Sequence, residues 1–199
     1  MNNKQKSDWV SLYTALSLQT TISIDEWHTL GQLMTHKRVA KGDYWVRAGD
    51  EVDSIALCVN GLFRLFYTTP DGKEFNKSFC KRHDFIAPYS SILQRVPSYF
   101  SIQALVDSEI LVMRYEDFIS LYERNASWDR FGRIIAEQLF IKKETREREL
   151  LLLTAEERYF NFLEQYGQLA AEIPQYHIAS YLGITPVALS RIRKRINIG

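Results

Sequence analysis

Apolar positions change their period three times along the chain. Over residues 8–35 they recur at helical spacing, with Trp27, Leu30, Leu33 and Met34 sharing a face behind the capping-box pattern Ser23-Ile24-Asp25-Glu26. Over residues 38–113 the runs become short or alternating, and glycines at 42, 49, 61 and 72 separate them. Strands are expected at Tyr44–Arg47, Ile55–Val59, Leu62–Thr68, Phe75–Phe79 and Ile110–Met113. Pro70-Asp71-Gly72-Lys73 supplies the turn chemistry of a hairpin. Ala87–Leu93 reads as one or two helical turns that Pro97 ends. A short helix follows over 115–124. Ser127 is then expected to cap a long helix running to about Leu150, whose Trp128, Phe131, Ile134, Ile135, Gln138 and Ile141 form a stripe near the heptad period. A further capping box, Thr154-Ala155-Glu156-Glu157, opens a helix carrying Tyr159, Phe160, Phe162, Leu163 and Tyr166, and Gly167 closes it.

The last stretch, from Ile173 to Gly199, has the spacing of a helix-turn-helix. Ala179 is small enough to let a second helix cross nearby, and Gly183 stands where the backbone must turn with positive φ. Thr185 can cap the second helix and Pro186 fits its first turn. Leu189, Ile192 and Ile196 face inward by periodicity, which leaves Val187, Ser190, Arg191 and Lys194 outside. A helix apolar on one side and basic on the other suits the DNA major groove.

Charge sharpens this reading. The segment 173–199 carries four Lys and Arg and no Asp or Glu, so it is +4 in a chain whose net charge is +1, and residues 1–172 carry −3. Electropositivity gathered on one terminal module is the footprint of a phosphate-binding surface. With 46% hydrophobic and 25% charged residues the composition is that of a soluble globular chain. No apolar run approaches a membrane span and the first ten residues lack a signal core, so a cytoplasmic location is expected. The chain's two cysteines, Cys58 and Cys80, form no CxxC, and its four histidines form no His-x-His pair; no cofactor and no metal site are expected. No phosphate loop, nucleophile elbow or HExxH is present, so the chain is not expected to be an enzyme.

A Gly-punctuated roll, a long helix, a Thr-capped helix and a terminal helix-turn-helix, in that order, resemble the Crp/Fnr superfamily of bacterial transcription regulators. Ile178-Ala179-Ser180-Tyr181-Leu182-Gly183-Ile184-Thr185, Leu189-Ser190-Arg191-Ile192-Arg193-Lys194 and Glu157-Arg158-Tyr159 carry the resemblance most specifically. Lys41-Gly42-Asp43, Ala48-Gly49-Asp50 and Asn60-Gly61 fall at the family's strand corners. The resemblance implies an α+β chain: a cyclic-nucleotide-binding-type β-roll (jelly roll) with N-terminal helices over 1–126, a dimerisation helix and hinge over 127–153, and a helix-turn-helix domain over 154–199. It implies a homodimer that binds a palindromic operator in double-stranded DNA and works with RNA polymerase.

Two departures stand out. Nucleotide-binding members carry a Gly-Glu pair and a later Arg-Ser or Arg-Thr, the Arg pairing with the cyclic phosphate. Here Ala87-Pro88-Tyr89 and Ser98-Tyr99 occupy those places, and Arg95 stands three residues early. Without the guanidinium a buried phosphate loses its charge-assisted partner, so control by cyclic AMP is not expected. Pro186-Val187 also replaces the Arg-Glu pair of the best-known operator readers, so the operator should differ.

The candidate DNA contacts are Gln175, Tyr176, Thr185, Pro186, Val187, Ser190, Arg191, Lys194 and Arg195, with Arg191 set to read a guanine. Phe85, Tyr89, Ser90, Ser98 and Tyr99 are candidates for a pocket that takes an unknown small-molecule effector. Trp128, Phe131, Ile135 and Gln138 are candidates for the seam between two copies. Cys80 stands beside Lys81 and Arg82, which would lower its pKa and suit a redox sensor. His83 is either a surface corner or a haem ligand. Two other function classes remain: a ligand sensor acting through protein contacts, and a cupin-like metalloenzyme.

Overall fold

The structure is a computed structural model and describes residues 9–14 and 22–196. Residues 9–14 are helical and precede α1, Ile24–Leu33. Eight strands follow: β1 Thr35–Val39, β2 Tyr44–Val46, β3 Ser54–Asn60, β4 Leu62–Thr68, β5 Glu74–Lys81, β6 Phe85–Ile86, β7 Ser101–Ala104 and β8 Ser108–Arg114. Helix α2, Tyr89–Gln94, lies between β6 and β7, and α3, Tyr115–Ser120, follows β8. The long helix α4 is Ala126–Leu152, and α5, Ala155–Tyr166, α6, Gln175–Leu182, and α7, Pro186–Arg195, complete the chain.

The strands form two four-stranded antiparallel sheets, in the orders β1-β8-β3-β6 and β2-β7-β4-β5, which face each other as a jelly roll. Between them lie Val46, Ala56, Cys58, Phe63, Leu65, Cys80, Ile102 and Ile110. The continuous apolar run of β3 follows from burial on both faces. Ala56 and Cys58 point into the roll, while Ile55, Leu57 and Val59 pack outward against Trp9, Trp27, Trp128 and Phe131 of the helices. The indoles of Trp9 and Trp27 stack with centroids 4.4 Å apart. Gly61, at φ 129°, joins β3 to β4 where an added Cβ would stand 2.2 Å from Ser108 Oγ, so no other residue fits this corner.

All five expected strands are present, Leu62–Thr68 with the expected ends and the others with at least one end shifted by one or two residues. Three more, β1, β6 and β7, were not expected. The helix after β6 ends at Arg95 in a left-handed conformation, two residues before Pro97. The N-cap of α4 is Asn125, whose side chain accepts from the Ser127 amide at 2.9 Å, rather than Ser127 itself. Both capping signals are used: Ser23 caps α1, and Thr154 with Glu157 forms a complete capping box on α5.

The stripe on α4 divides in two. Trp128 and Phe131 are fully buried against the chain's own roll, and Ile135 is half-buried beside them. Trp128 and Phe131 therefore have no exposed surface to offer a second copy, Ile135 keeps part of its surface, and Gln138 is exposed. The apolar side chains that α4 leaves exposed lie further along: Phe140, Ile141, Leu150, Leu151 and Leu152.

Candidate nucleic-acid interface and effector groove

The helix-turn-helix is built by local rules. Helix α6 ends at Gly183, φ 70°, whose amide turns back to Ala179 and Ser180, and the Ile184 amide also donates to Ala179 O at 3.0 Å. Thr185 Oγ1 accepts from the Ala188 amide at 3.1 Å, with Pro186 in the first turn of α7. Leu189 and Ile192 are buried with Ile178, Ala179, Leu182, Tyr159 and Phe162. That packing fixes the outer face of α7, where Pro186, Val187, Ser190, Arg191 and Lys194 are exposed. Gln175, Tyr176 and Thr185 are exposed as well. Arg195 differs from expectation: it pairs with Glu156 at 2.9 Å within its own module. Among the described residues, Arg191 and Lys194 meet no carboxylate.

The module sits on the roll through contacts that no local pattern announces. Across the β4–β5 pair, Arg64 is opposite Phe79, and the first motif helix, α6, covers them. The Phe79 ring meets Phe162, Tyr166 and Tyr181 at centroid distances of 6.0, 5.6 and 5.4 Å. Beside it lies a polar network. Arg64, 5% exposed, pairs with Glu74 and donates from Nε to Gln103 Oε1 at 2.7 Å. His177 Nδ1 lies 3.3 Å from Arg64 Nη1 and 3.2 Å from Asn76 Nδ2. A guanidinium can only donate, so Nδ1 accepts and the imidazole is neutral with its proton on Nε2. Burial first, and the Arg64 charge second, depress the His177 pKa to about 4. The Asn76 amide donates to Ser180 Oγ at 3.0 Å, and that hydroxyl donates to Glu74 O at 3.2 Å.

The hinge is braced from both sides. Arg158 donates to Leu153 O, at the end of α4, and to Leu182 O, at the end of α6, which satisfies carbonyls that helix ends leave orphaned. Asn161 donates to Glu149 Oε1 of α4 at 2.9 Å. Lys142 of α4 donates to Phe79 O at 3.1 Å and lies 3.8 Å from Asp84, and the Arg146 guanidinium stands 3.9 Å from the Tyr181 ring centroid.

A groove of about 1200 Å³ runs between the roll and α4. Phe85, Tyr89 and Ser90 line it as expected, together with Leu65, Tyr67, Lys77, Ile86, Leu93 and Phe100. Ser98 and Tyr99 do not. The Ser98 hydroxyl is buried in a bond to Phe100 O at 2.7 Å, and Tyr99 turns to solvent, 59% exposed. Arg95 is exposed at its left-handed corner and does not line the groove.

The thiols answer to burial rather than to sequence neighbours. Cys80 lies inside the roll, and desolvation pushes its pKa up to about 12, opposite to the lowering expected from Lys81 and Arg82. Cys58 is fully buried, and its pKa is raised for the same reason. His83 sits at a turn with φ 73°, its amide donating to Cys58 O at 2.8 Å. Among the described residues, no three His, Cys, Asp or Glu side chains converge as metal ligands, and no helix is long and apolar enough to cross a membrane.

The comparisons with known proteins follow this architecture. Residues 36–125 match the cyclic nucleotide-binding domain family. FixK2 of Bradyrhizobium japonicum superposes with a TM-score of 0.72 at 18% identity, over 82% of this chain and 84% of that one. The catabolite activator protein of Thermus thermophilus gives 0.57 at 20% identity, over 88% and 84%. The domain-family match covers the roll, and the chain's full course from the roll through the hinge to α7 shares the fold of these two proteins. The anaerobic regulatory protein of Bacillus subtilis (strain 168) is 27% identical over 92 residues, which are 46% of this chain. That match spans only 39% of the regulator's own length.

Proposed function

We propose that this chain is a Crp/Fnr-type, cytoplasmic, homodimeric, sequence-specific DNA-binding transcription regulator, and that the effector its roll takes is not cyclic AMP. The observation that carries the reading is α7: buried at Leu189 and Ile192, capped by Thr185, and presenting Val187, Ser190, Arg191 and Lys194 to solvent. Arg191, with no carboxylate partner, has the reach and geometry to read a guanine edge; Thr185, Val187 and Ser190 flank it, and Lys194 adds phosphate contact. Gln175 and Tyr176 meet backbone phosphate at the start of α6. Arg195 is a weaker phosphate contact because it must first leave Glu156.

Two copies pair through Phe140, Ile141, Leu151 and Leu152 of α4, an exposed apolar set on a helix of 27 residues, about 40 Å long. Each copy then reads one half-site of a palindromic operator, with RNA polymerase as the further partner. The groove is the effector site. Cyclic AMP is disfavoured because Arg95 stands away from it and Ser98 is committed to Phe100 O, which leaves the cassette side without a guanidinium for the phosphate. The test is selection of sites from random duplex DNA by the purified full chain. Enrichment of a two-fold-symmetric site is expected; no enrichment at low salt, with or without added ligand, would overturn the reading.

A further inference from the structure

The groove holds a cation with no counter-ion among the described residues. Lys77 of β5 is half-buried, with Nζ 3.9 Å from the Phe100 ring centroid and 5.1 Å from that of Tyr67. Among the described residues no carboxylate lies within ion-pair distance of it. Lys143 enters the lining from α4, close enough for its own positive charge to act on Lys77, and it too has no carboxylate partner. Lys142 does not share this character, since Asp84 and the Phe79 carbonyl engage it. The roll side of the lining, beside Lys77, is apolar: Leu65, Phe85, Ile86, Leu93 and Phe100; the charged side chains Glu147, Glu149 and Glu164 line the opposite end, towards the hinge.

We propose that the groove binds an apolar organic anion, a hydrophobic acid whose negative charge sits between Lys77 and Lys143 and whose body lies on the Phe85, Leu93 and Phe100 wall. This rests on the reading of the groove as the effector site and names its ligand class. A half-buried ammonium without a counter-ion carries an uncompensated desolvation cost, and a like charge beside it adds to that cost. Both effects show in Lys77, whose pKa burial and then Lys143 bring down to about 8. A ligand anion relieves both at once, as a neutral ligand cannot. The apolar lining demands that the rest of the ligand be hydrophobic. The charge also lies on a different wall from the one nucleotide-binding relatives use: β5 and α4 supply it, not the segment after α2.

The test compares two fluorescent probes that share an apolar body, 1-anilinonaphthalene-8-sulfonate and uncharged N-phenyl-1-naphthylamine, titrated into the full-length chain. The sulfonate is expected to bind at one site per chain about ten-fold more tightly than the neutral probe. Lys77→Met keeps the apolar stem against Phe100; it should cost the sulfonate about ten-fold and leave the neutral probe unchanged, and Lys77→Arg should restore the preference. Lys143→Met, at an exposed position that folding does not need, should cost the sulfonate about three-fold. Equal binding of the two probes, or sulfonate binding that survives both methionine variants, overturns the proposal. Displacement of the sulfonate by cyclic AMP overturns it in favour of a nucleotide. Operator selection by the same preparation without probe separates the two readings: enrichment with no sulfonate preference removes the ligand class and leaves the regulator standing.

Discussion

Protonation of His177 should loosen the helix-turn-helix module from the roll. In the folded chain Nδ1 accepts from Arg64 and Asn76, so a proton there would place a donor against two donors and a positive charge beside the Arg64 guanidinium. The charged groups facing the ring are Arg64 on β4 and Glu74 on β5; burial and Arg64 lower its pKa from 6.5 to about 4, and Glu74 offsets only part of this. The unfolded chain therefore binds the proton first as pH falls. The stabilisation from a neutral His177 is fully present above the unfolded value and is lost as pH drops from about 6.5 through about 4. Linkage puts the loss at about 2 kcal/mol between pH ~7.5 and pH ~5, rising to about 3 kcal/mol below the folded pKa.

The assay is urea unfolding followed by far-ultraviolet circular dichroism across that range, on the wild type and on His177→Gln. Glutamine offers an oxygen to the same two donors and does not titrate. Carboxylates titrate in both proteins, so the difference between the two stability curves isolates the imidazole. It should change by about 2 kcal/mol over the range, the wild type losing more as acid is added. Parallel curves would refute the reasoning, because they would mean that the ring is not held neutral by the docked module.

Three further outcomes are expected. Arg191→Ala should relax preference at one base step and cost about 1–3 kcal/mol on the selected operator, whereas Lys194→Ala should weaken all duplexes alike and lower the salt slope by roughly 1; an Arg191 variant with unchanged preference would sink its assignment. Phe79→Ala should destabilise the chain by about 3–5 kcal/mol in chemical denaturation, since the ring is fully buried among Phe162, Tyr166 and Tyr181. Phe140→Glu combined with Leu151→Glu should yield a folded monomer in sedimentation; a dimer that persists would place the seam elsewhere.

The helix-turn-helix was legible because every signal in it is local. A cap at Thr185, a left-handed glycine at 183 and an inward row at 189 and 192 lie within a few residues of the positions they govern. The missing strands lacked such signals. β1 reads Thr-His-Lys-Arg-Val with one buried side chain, β6 has two residues, and β7 lies where the alternation is broken. The stripe on α4 was real, but period cannot say what covers it. Its first turns bury Trp128 and Phe131 in the same chain, and only later turns present Phe140 and Leu151 outward. Cys80 shows a related limit: along a strand, successive side chains point to opposite faces, so Lys81 turns away from the thiol, and Arg82 lies past the end of β5 in a turn, so neither keeps the thiol from being buried. The docking network was out of reach altogether, because Arg64 and His177 meet across 113 positions.

These separate observations converge on α4. One side of this helix lines the groove through Lys143, and the same stretch is tied to the roll through Lys142 on the Phe79 carbonyl and to the module through Arg146 on Tyr181. A ligand shifts a conformational balance only by binding one arrangement better than another. An anion between Lys77 and Lys143 would meet that condition, since its charge is shared between the roll and the helix and is worth most when the two are held together. Beyond the hinge that Arg158 braces, any change in how α4 sits on the roll reaches α6 directly, because Phe79, Tyr166 and Tyr181 form one packed aromatic cluster. The groove and the DNA-reading face are thus joined by a short run of contacts between α4, β5 and α6. The neutral imidazole of His177 sits at its far end, which is why its titration and the occupancy of the groove should act on the same docking equilibrium.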